Sequence, residues 1–230
     1  MGNSFAGKFI VFEGIEGVNL KELAQHAAQE LEQRVVPKGQ IFLTREPSDG
    51  PIGRDIRLAL RGRLELDPRT VAVLFAADRL DHLYTPKTGI EARLEKGEWV
   101  LLDRYYLSQY AFQTYQGFDL EWLQALNRHA RRPDLTLYIE LPLDTCIRAY
   151  QAQVRRQGYH YSLLGVEKID VPDQEGYENA KEYLKGIHEH YCEAIKTLES
   201  QEPIEVIEAN TEREAITKIR YALRKRGWLS

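Results

Sequence analysis

Cysteine is scarce in this chain, with two residues among 230. Cys146 and Cys192 lie far apart and form neither a CxxC pair nor a cluster with histidine, so neither a zinc site nor a disulfide scaffold is indicated. The six histidines, among them His160, His188 and His190, show no metal-ligand spacing. We therefore expect no metal site of this kind, and two reduced thiols in an intracellular protein.

Long apolar runs and an excess of positive charge are lacking as well. No apolar stretch approaches the roughly 20 residues needed to cross a bilayer, and residues 1–8 are too short and too polar for a signal peptide. With 31 Lys and Arg against 35 Asp and Glu, the formal charge is −4, which argues against general affinity for nucleic acid. We expect a cytoplasmic protein with no membrane or nucleic-acid partner, although one local anion site is compatible with this charge.

Short apolar runs alternate with longer amphipathic segments. The runs at residues 9–12, 41–43, 99–102, 135–139 and 204–207 predict five strands. Continuous apolar strands separated by helices indicate an α/β fold, in which helices cover both faces of a parallel sheet. With 43% hydrophobic residues, the chain suits one domain over residues 1–230. Ligands of such sheets bind beyond the carboxyl ends of the strands.

Helical periodicity fills most of the remaining chain. Helices are predicted at residues 20–34, after Pro51, at 70–96 with a break near Pro86 and Gly89, and at 119–130, 142–156, 175–198 and 211–225. Residues 157–173 have no clear period, and we expect them to form a lid insertion. An ordinary surface insertion is the alternative.

The segment after the first strand has the strand, glycine turn and helix layout of a phosphate-binding loop. Such a loop, GxxxxGK[ST], cradles phosphate with backbone N–H groups, places its lysine on the β- and γ-phosphates and holds Mg²⁺ with its hydroxyl. Gly14 stands at the first glycine position. The positions of the second glycine, the lysine and the hydroxyl hold Asn19, Leu20 and Lys21. Taken alone, the segment is explained as well by a plain strand, turn and helix.

Further segments support a nucleotide site. Residues 12–17 read FEGIEG, 44–53 read TREPSDGPIG, 74–79 read LFAADR and 103–113 read DRYYLSQYAFQ. In this order, together with residues 133–139 on the fourth strand, they resemble the thymidylate kinase family over nearly the whole chain. The resemblance implies a P-loop nucleoside monophosphate kinase-like fold, a dTMP substrate, the cofactors ATP and Mg²⁺, and a homodimer.

The resemblance also implies a site for a deoxynucleoside monophosphate. Arg104, at a strand's carboxyl end, can grip phosphate bidentately, and Asp103 would orient it or help hold a metal-bound water; these two are the expected catalytic residues. Phe75 and Arg79 lie four apart on one helix face and would hold a pyrimidine base. Glu16 takes the place of the acidic residue at the sugar 3′-hydroxyl. The expected substrate-binding residues are Glu16, Arg45, Phe75, Arg79, Arg104, Ser108, Gln109 and Phe112.

Plainer interpretations of these residues stay open at this point. Residues 103–104 also suit a buried ion pair, and residues 75 and 79 suit a core phenylalanine beside a surface cation. Arg148, Arg155 and Arg156 form a basic group at the mouth of the predicted lid. Arg155 and Arg156 are the expected lid residues for the transferring phosphoryl group, with a solvated helix face as the alternative.

The phosphate loop departs from the family pattern. Leu20 removes a positive charge, Lys21 removes a Mg²⁺ ligand, and Glu22 adds an anion to the first helical turn. Each lost transition-state contact costs a few kcal/mol. The degenerate loop comprises Gly14, Gly17, Val18, Asn19, Leu20 and Lys21.

We therefore expect a protein that binds a dTMP-like monophosphate, with phosphoryl transfer impaired and the use of ATP and Mg²⁺ in doubt. One alternative is an active dTMP kinase in which Lys21 supplies the missing charge. Another is a P-loop fold with an unrelated small ligand.

Overall fold

The sheet organises the molecule. A computed structural model describes residues 7–157 and 174–229. Its strands are β1 (Phe9–Glu13), β2 (Ile41–Arg45), β3 (Trp99–Asp103), β4 (Leu135–Glu140) and β5 (Ile204–Glu208). They form one five-stranded sheet in the order β2-β3-β1-β4-β5, and every neighbouring pair is parallel. The predicted α/β fold with a parallel sheet is therefore confirmed.

Helices connect the strands and cover the sheet. They are α1 (Leu20–Arg34), α2 (Pro51–Leu60), α3 (Pro68–Tyr84), α4 (Ile90–Glu95), α5 (Tyr106–Tyr115), α6 (Leu120–Leu126), α7 (Leu143–Gln157), α8 (Gln174–Leu198) and α9 (Glu212–Lys225). Helix α1 packs on β1, β2 and β3 and against α9, while α8 packs against both α5 and α7. In the part of the chain that the structure describes, no helix is both long and apolar enough to cross a membrane.

The central strands are buried on both faces, which explains their uninterrupted apolar sequence. All five residues of β1 are buried, including Glu13 at its carboxyl end. Strands β3 and β4 are buried up to their last residues, Asp103 and Glu140, which are only partly covered. A parallel sheet covered on both faces selects such strands. Their polar last residues therefore mark the edge of the sheet at which a site is expected.

Helix α5 was not predicted, and the reason is its burial. Eight of its ten residues are buried, so its sequence lacks the polar stripe by which an amphipathic helix is detected. The helix predicted at 119–130 is shorter than expected, because α6 ends at Leu126. The side-chain amide of the next residue, Asn127, donates to the carbonyl of Leu123 at 2.8 Å. The predicted break near Pro86 and Gly89 is confirmed by the separate helices α3 and α4.

The predicted lid, residues 157–173, lies outside the described residues except for Gln157, the last residue of α7.

Candidate functional site

A cleft of about 790 Å³ opens beyond the carboxyl ends of the strands. Parallel pairing brings Phe12 of β1 and Arg45 of β2 into register with Asp103 of β3, so the turns that follow these strands meet at one edge. The cleft is bounded by the loop before α1, by the buried face of α3 and by the first turns of α5. Its position is the one that the sheet topology predicts.

Arg104 lies at the centre of this cleft. Its Nη1 donates to the carbonyl of Gly14 at 2.9 Å, and its Nη2 forms an ion pair with Glu16. The guanidinium carbon lies 5.4 Å from the ring centroid of Phe112, within cation–π range. Burial works against the charge of Arg104, but Glu16, Tyr191, Asp103 and Glu13 together outweigh it, so the pKa of Arg104 is raised. The guanidinium thus stays charged at any physiological pH and suits an anion.

Asp103 sits beside Arg104 at the end of β3. Burial raises the pKa of Asp103, and the positive charge of Arg104 opposes that rise. Lys21 and Arg45 act on Asp103 in the same direction as Arg104, which places both cations within electrostatic reach of this carboxylate. These residues place a carboxylate and several cations together at one strand end, as sites for charged substrates do.

Arg79 is held in a buried polar network. Its side chain is 1% exposed. Its Nε donates to Glu46 at 2.9 Å, while Nη1 donates to Gln109 at 2.6 Å and also to Asn127. Its guanidinium carbon lies 5.0 Å from the ring centroid of Tyr105. These partners come from three different segments, so Arg79 is fixed before any ligand arrives.

Phe75 is only partly buried and lines the cleft together with Arg79. Both residues lie on α3, one turn apart, as their spacing predicts. The helix therefore presents an aromatic ring and a fixed guanidinium to the same space. A planar heterocycle with a carbonyl edge fits such a pair, since the ring offers stacking and the guanidinium offers a positive charge.

The loop before α1 has a different character. Leu20 is 3% exposed, and its side chain lies over Gly14, 3.4 Å from where a β-carbon on that glycine would sit. Gly17 has a φ of +90°, and a β-carbon there would lie 2.1 Å from the carbonyl oxygen of Cys146, so only glycine fits. Val18 is buried as well. The turn is tight and packed, as its two glycines predict.

Two backbone N–H groups of this loop have partners within the loop. The amide of Val18 donates to Ile15 at 3.4 Å, and the amide of Leu20 donates to Val18 at 3.0 Å. The side chain of Asn19 donates to Glu22 at 2.6 Å. Burial together with the charge of Glu22 raises the pKa of Glu212, the first residue of α9, which also borders the cleft. Two acids therefore lie near the loop, where an anionic ligand would need positive charge.

Most of the residues expected from the sequence meet in this cleft. Its lining includes Glu16, Arg45, Phe75, Arg79, Asp103, Arg104, Ser108, Gln109 and Phe112, and also Gly17, Val18, Asn19, Leu20, Lys21 and Arg156. Of the remaining arginines, Arg155 is exposed on α7 and Arg148 donates to the carbonyl of Asp144 in its own helix at 3.3 Å. Their roles in binding or catalysis remain predictions.

Several residues of the cleft were not expected from the sequence. Arg57 of α2 lines it and donates to the carbonyl of Pro47 at 3.0 Å, and Tyr183 of α8 lines it as well. Glu13 lies just beneath it, accepting hydrogen bonds from the residues that follow Arg104. A carboxylate that ends an otherwise apolar strand was the available signal for Glu13. Nothing local marked Tyr183, since it is one tyrosine on an amphipathic helix.

Fold and cleft together define a doubly wound α/β protein of the nucleoside monophosphate kinase kind. The sequence model of the thymidylate kinase family matches residues 12–218. A probable thymidylate kinase of Thermococcus kodakarensis is 40% identical over 214 residues, covering 84% of this chain and 100% of the relative. Another, from Methanococcus maripaludis, is 30% identical over 203 residues, covering 83% and 94%. A third, from Pyrococcus abyssi, is 38% identical over 152 residues, covering 64% and 71%. The chain belongs to the thymidylate kinase family.

Proposed function

We propose that the cleft binds a dTMP-like deoxynucleoside monophosphate and that phosphoryl transfer from ATP is impaired or absent. The proposed impairment of phosphoryl transfer rests on the position of Leu20. It occupies the lysine position of the loop and is buried over Gly14, so the charge that would meet the β- and γ-phosphates is missing. The family generally uses ATP and Mg²⁺, and the loop is where this chain departs from that chemistry.

The donor groups of the loop do not fit a Mg²⁺–ATP complex. Lys21 stands where a hydroxyl ligand for the metal is expected, and an ammonium cannot coordinate a cation. The amides of Val18 and Leu20 donate within the loop, which leaves them poorly placed to cradle phosphate. Glu22 and Glu212 add negative charge nearby. Removing one oxyanion-stabilising contact costs roughly 3–4 kcal/mol, so these changes together favour binding without efficient transfer.

The monophosphate half of the cleft supports binding. Arg104 would take the phosphate, and Phe75 with Arg79 would hold the base. Glu16 would meet the 3′-hydroxyl with the carboxylate that also pairs with Arg104. Arg45, Ser108, Gln109 and Phe112 complete the proposed substrate contacts, and all of them line the cleft. Arg156 borders the same space from α7 and is the better placed of the two proposed lid arginines.

Calorimetry with single nucleotides, run beside a coupled ADP-release assay with ATP, Mg²⁺ and dTMP, tests the proposal. We expect dTMP to bind, ATP to bind weakly and ADP release to be slow. Ordinary kinase turnover in the unmodified protein would overturn the proposed impairment.

Replacing Arg104 tests the binding half. A hydrogen bond to a charged group contributes about 1.5–3 kcal/mol, so Arg104→Ala should weaken dTMP binding by roughly 10- to 150-fold. Thymidine, which lacks the phosphate, should lose much less. Arg148→Ala is the matched control, because this arginine donates to its own helix away from the cleft. Equal losses for dTMP and thymidine would show that Arg104 does not meet the phosphate.

An active dTMP kinase with an unusual loop is the second candidate. The observation in its favour is Lys21, which lines the cleft and acts electrostatically on Asp103. A cation there lies one residue from the family's lysine position. In this version Lys21 stabilises the transferring phosphoryl group, and the ADP-release assay shows dTMP-dependent turnover that Lys21→Ala removes.

Two further properties are inferred from family membership. A homodimer is supported by Val73, an apolar residue on α3 that is 47% exposed. Light scattering should give twice the monomer mass, and Val73→Asp should lower it. A cytoplasmic location is supported by the thiols of Cys146 and Cys192, which are both free.

A further inference from the structure

Glu13 is a buried carboxylate that is not itself among the proposed substrate contacts. It ends β1 and is 0% exposed. It accepts hydrogen bonds from the backbone amides of Tyr105 at 2.9 Å and Ser108 at 3.1 Å. It also accepts from the hydroxyl of Ser108 and from that of Tyr191 at 3.1 Å. One side chain thus joins β1 to the start of α5 and to the middle of α8.

These bonds fall at the amino terminus of α5, which has no cap of its own. The N-cap position is Tyr105, whose side chain forms no capping hydrogen bond. The first amides of a helix need acceptors, and a negative charge there is favoured by the helix dipole. Glu13 supplies both the acceptor and the negative charge, although it belongs to β1 and not to α5.

The same bonds fix the residue next to the cap. Arg104 has a φ of +66°, in the left-handed region that an arginine seldom adopts. Its own amide donates to the carbonyl of Phe12 at 2.9 Å, and the next amide, that of Tyr105, donates to Glu13. Two consecutive residues of β1 therefore hold the two consecutive amides that define this backbone conformation.

The side chain of Arg104 is tied to Glu13 as well. Its Nη1 lies 3.3 Å from the hydroxyl oxygens of both Ser108 and Tyr191. Each of these hydroxyls also contacts the carboxylate of Glu13, and they contact one another at 2.8 Å. The backbone conformation and the guanidinium position of Arg104 thus both depend on contacts with Glu13.

The geometry points to Glu13 as the positioning residue of the site, which holds Arg104 in its left-handed conformation and aims its guanidinium at the substrate's phosphate. The identity of that phosphate rests on the proposed function. Glu13 touches neither the substrate nor the reacting atoms, and acts through Arg104.

The charge of Glu13 offers a readout that separates positioning from mere stability. Burial raises the pKa of Glu13 to about 7, with the Ser108 and Arg104 contacts opposing the rise. Ionisable groups face it from the turn after β3 (Arg104), from α8 (Tyr191) and from β4 (Tyr138). Glu16 and Asp103 act on the same guanidinium. A phosphate dianion on Arg104 disfavours the ionised form of Glu13, so binding takes up a proton, and affinity falls as the pH rises through 7.

Two substitutions test this assignment. Glu13→Gln mimics the protonated carboxyl, since its oxygen accepts the two amide bonds and its amide donates to the hydroxyls. Glu13→Ala removes every bond. The measured quantity is the phosphate increment, the ratio of the thymidine to the dTMP dissociation constant from calorimetry. At pH 6 we expect Gln to preserve this ratio within about threefold and Ala to lower it about tenfold or more.

The pH profile supplies the second readout. Between pH 6 and 8.5 the increment of the unmodified protein should fall relative to that of Glu13→Gln, because Glu13 titrates there and glutamine does not. The titration of the ligand phosphate is common to both proteins and cancels. A constant ratio across this range overturns the assignment, and it does so even if Glu13→Ala fails to fold.

Amide hydrogen exchange tests the assignment without a ligand. The amides of Tyr105 and Ser108 should exchange faster in Glu13→Ala but not in Glu13→Gln, with Leu137 in the centre of the sheet as the reference for global opening. If neither thymidine nor dTMP binds the unmodified protein, the proposed function fails, and this exchange pattern alone decides whether Glu13 positions Arg104. Unchanged exchange in the Ala variant would refute it.

Discussion

The two sides of the cleft are built on opposite physical terms. On the monophosphate side, Arg79 and Arg104 are charged, largely covered and held by acids from distant segments: Glu46 for Arg79, and Glu16 with Glu13 for Arg104. On the loop side, buried Leu20 stands where a cation is expected, and loop amides bond to loop carbonyls. One side has its charges preorganised for an anion, whereas the other lacks the expected cation and has two of its amides bonded within the loop.

The difference teaches where binding and catalysis separate in this fold. A preorganised cation contributes to binding whether or not a reaction follows, because the free-energy cost of ordering its side chain is already part of folding. Phosphoryl transfer needs charge on both sides of the transferred group. Under the proposed function, we therefore expect the changes at residues 19–22 to separate binding from phosphoryl transfer while the fold stays intact.

Restoring the loop should have the largest effect. We expect the quadruple variant Asn19→Gly, Leu20→Lys, Lys21→Ser and Glu22→Thr to raise dTMP-dependent ADP release by about a hundredfold or more, because each transition-state contact is worth a few kcal/mol. The double variant Lys21→Ser, Glu22→Thr is the control; it still lacks the lysine and should gain little. If the quadruple variant stays inactive while dTMP binds, the loss extends beyond the loop.

Breaking the network on the monophosphate side should cost stability. Glu46→Ala leaves the guanidinium of Arg79 buried without its carboxylate, and removing one partner of a buried pair costs about 3–5 kcal/mol. Glu189→Ala is the matched control, because Glu189 pairs with Lys185 at 3.8 Å with both side chains more than half exposed, where the expected loss is below about 1 kcal/mol. Urea unfolding measures both. Equal losses would mean that Arg79 is not held as described.

The pH dependence of stability should report Glu13. Its pKa rises from 4.5 to about 7 on burial, so the folded state binds the proton more tightly than the unfolded chain. The free energy of unfolding should therefore fall as the pH rises from 4.5 to 7, by about 3 kcal/mol, and level off above. Comparing the unmodified protein with Glu13→Gln between pH 4 and 8 isolates this contribution, because other groups cancel. A difference that does not vary with pH would contradict the pKa shift.

The smallest effect is expected for Lys21. It is an exposed cation, so Lys21→Ala should change dTMP affinity by less than about threefold. Arg45→Ala is a useful comparison, since Arg45 is also exposed, lines the same cleft and pairs with Asp49 at 2.8 Å. If Lys21→Ala instead abolishes measurable turnover, Lys21 supplies the loop's missing charge, and the contrast between the two sides of the cleft disappears.

Local patterns predicted the parts of the fold that depend on them. Strands β1, β3 and β4 are short runs of apolar residues because both of their faces are buried, and such runs are visible in one dimension. The break between α3 and α4 follows from Pro86 and Gly89 in the same way. Helix α5 was not predicted because it is buried on nearly every side, and such a helix does not show the amphipathic periodicity by which helices are recognised.

The family likewise followed from short motifs in order along the chain, since each of them sits at a strand end or on a helix face that the fold brings to one edge. The sequence by itself thus determined the α/β class, the family, most of the expected residues that meet in the cleft and the substitutions in the loop.

The tertiary structure alone decided the strand order, the pairing of Arg79 with Glu46, Gln109 and Asn127, and the role of Glu13 beneath Arg104. Glu13 and Tyr191 are 178 positions apart, yet their side chains lie 3.1 Å from each other. No local propensity encodes such a contact. It exists because packing helices on a parallel sheet brings remote segments to the same strand end, where a buried charge must find its partners.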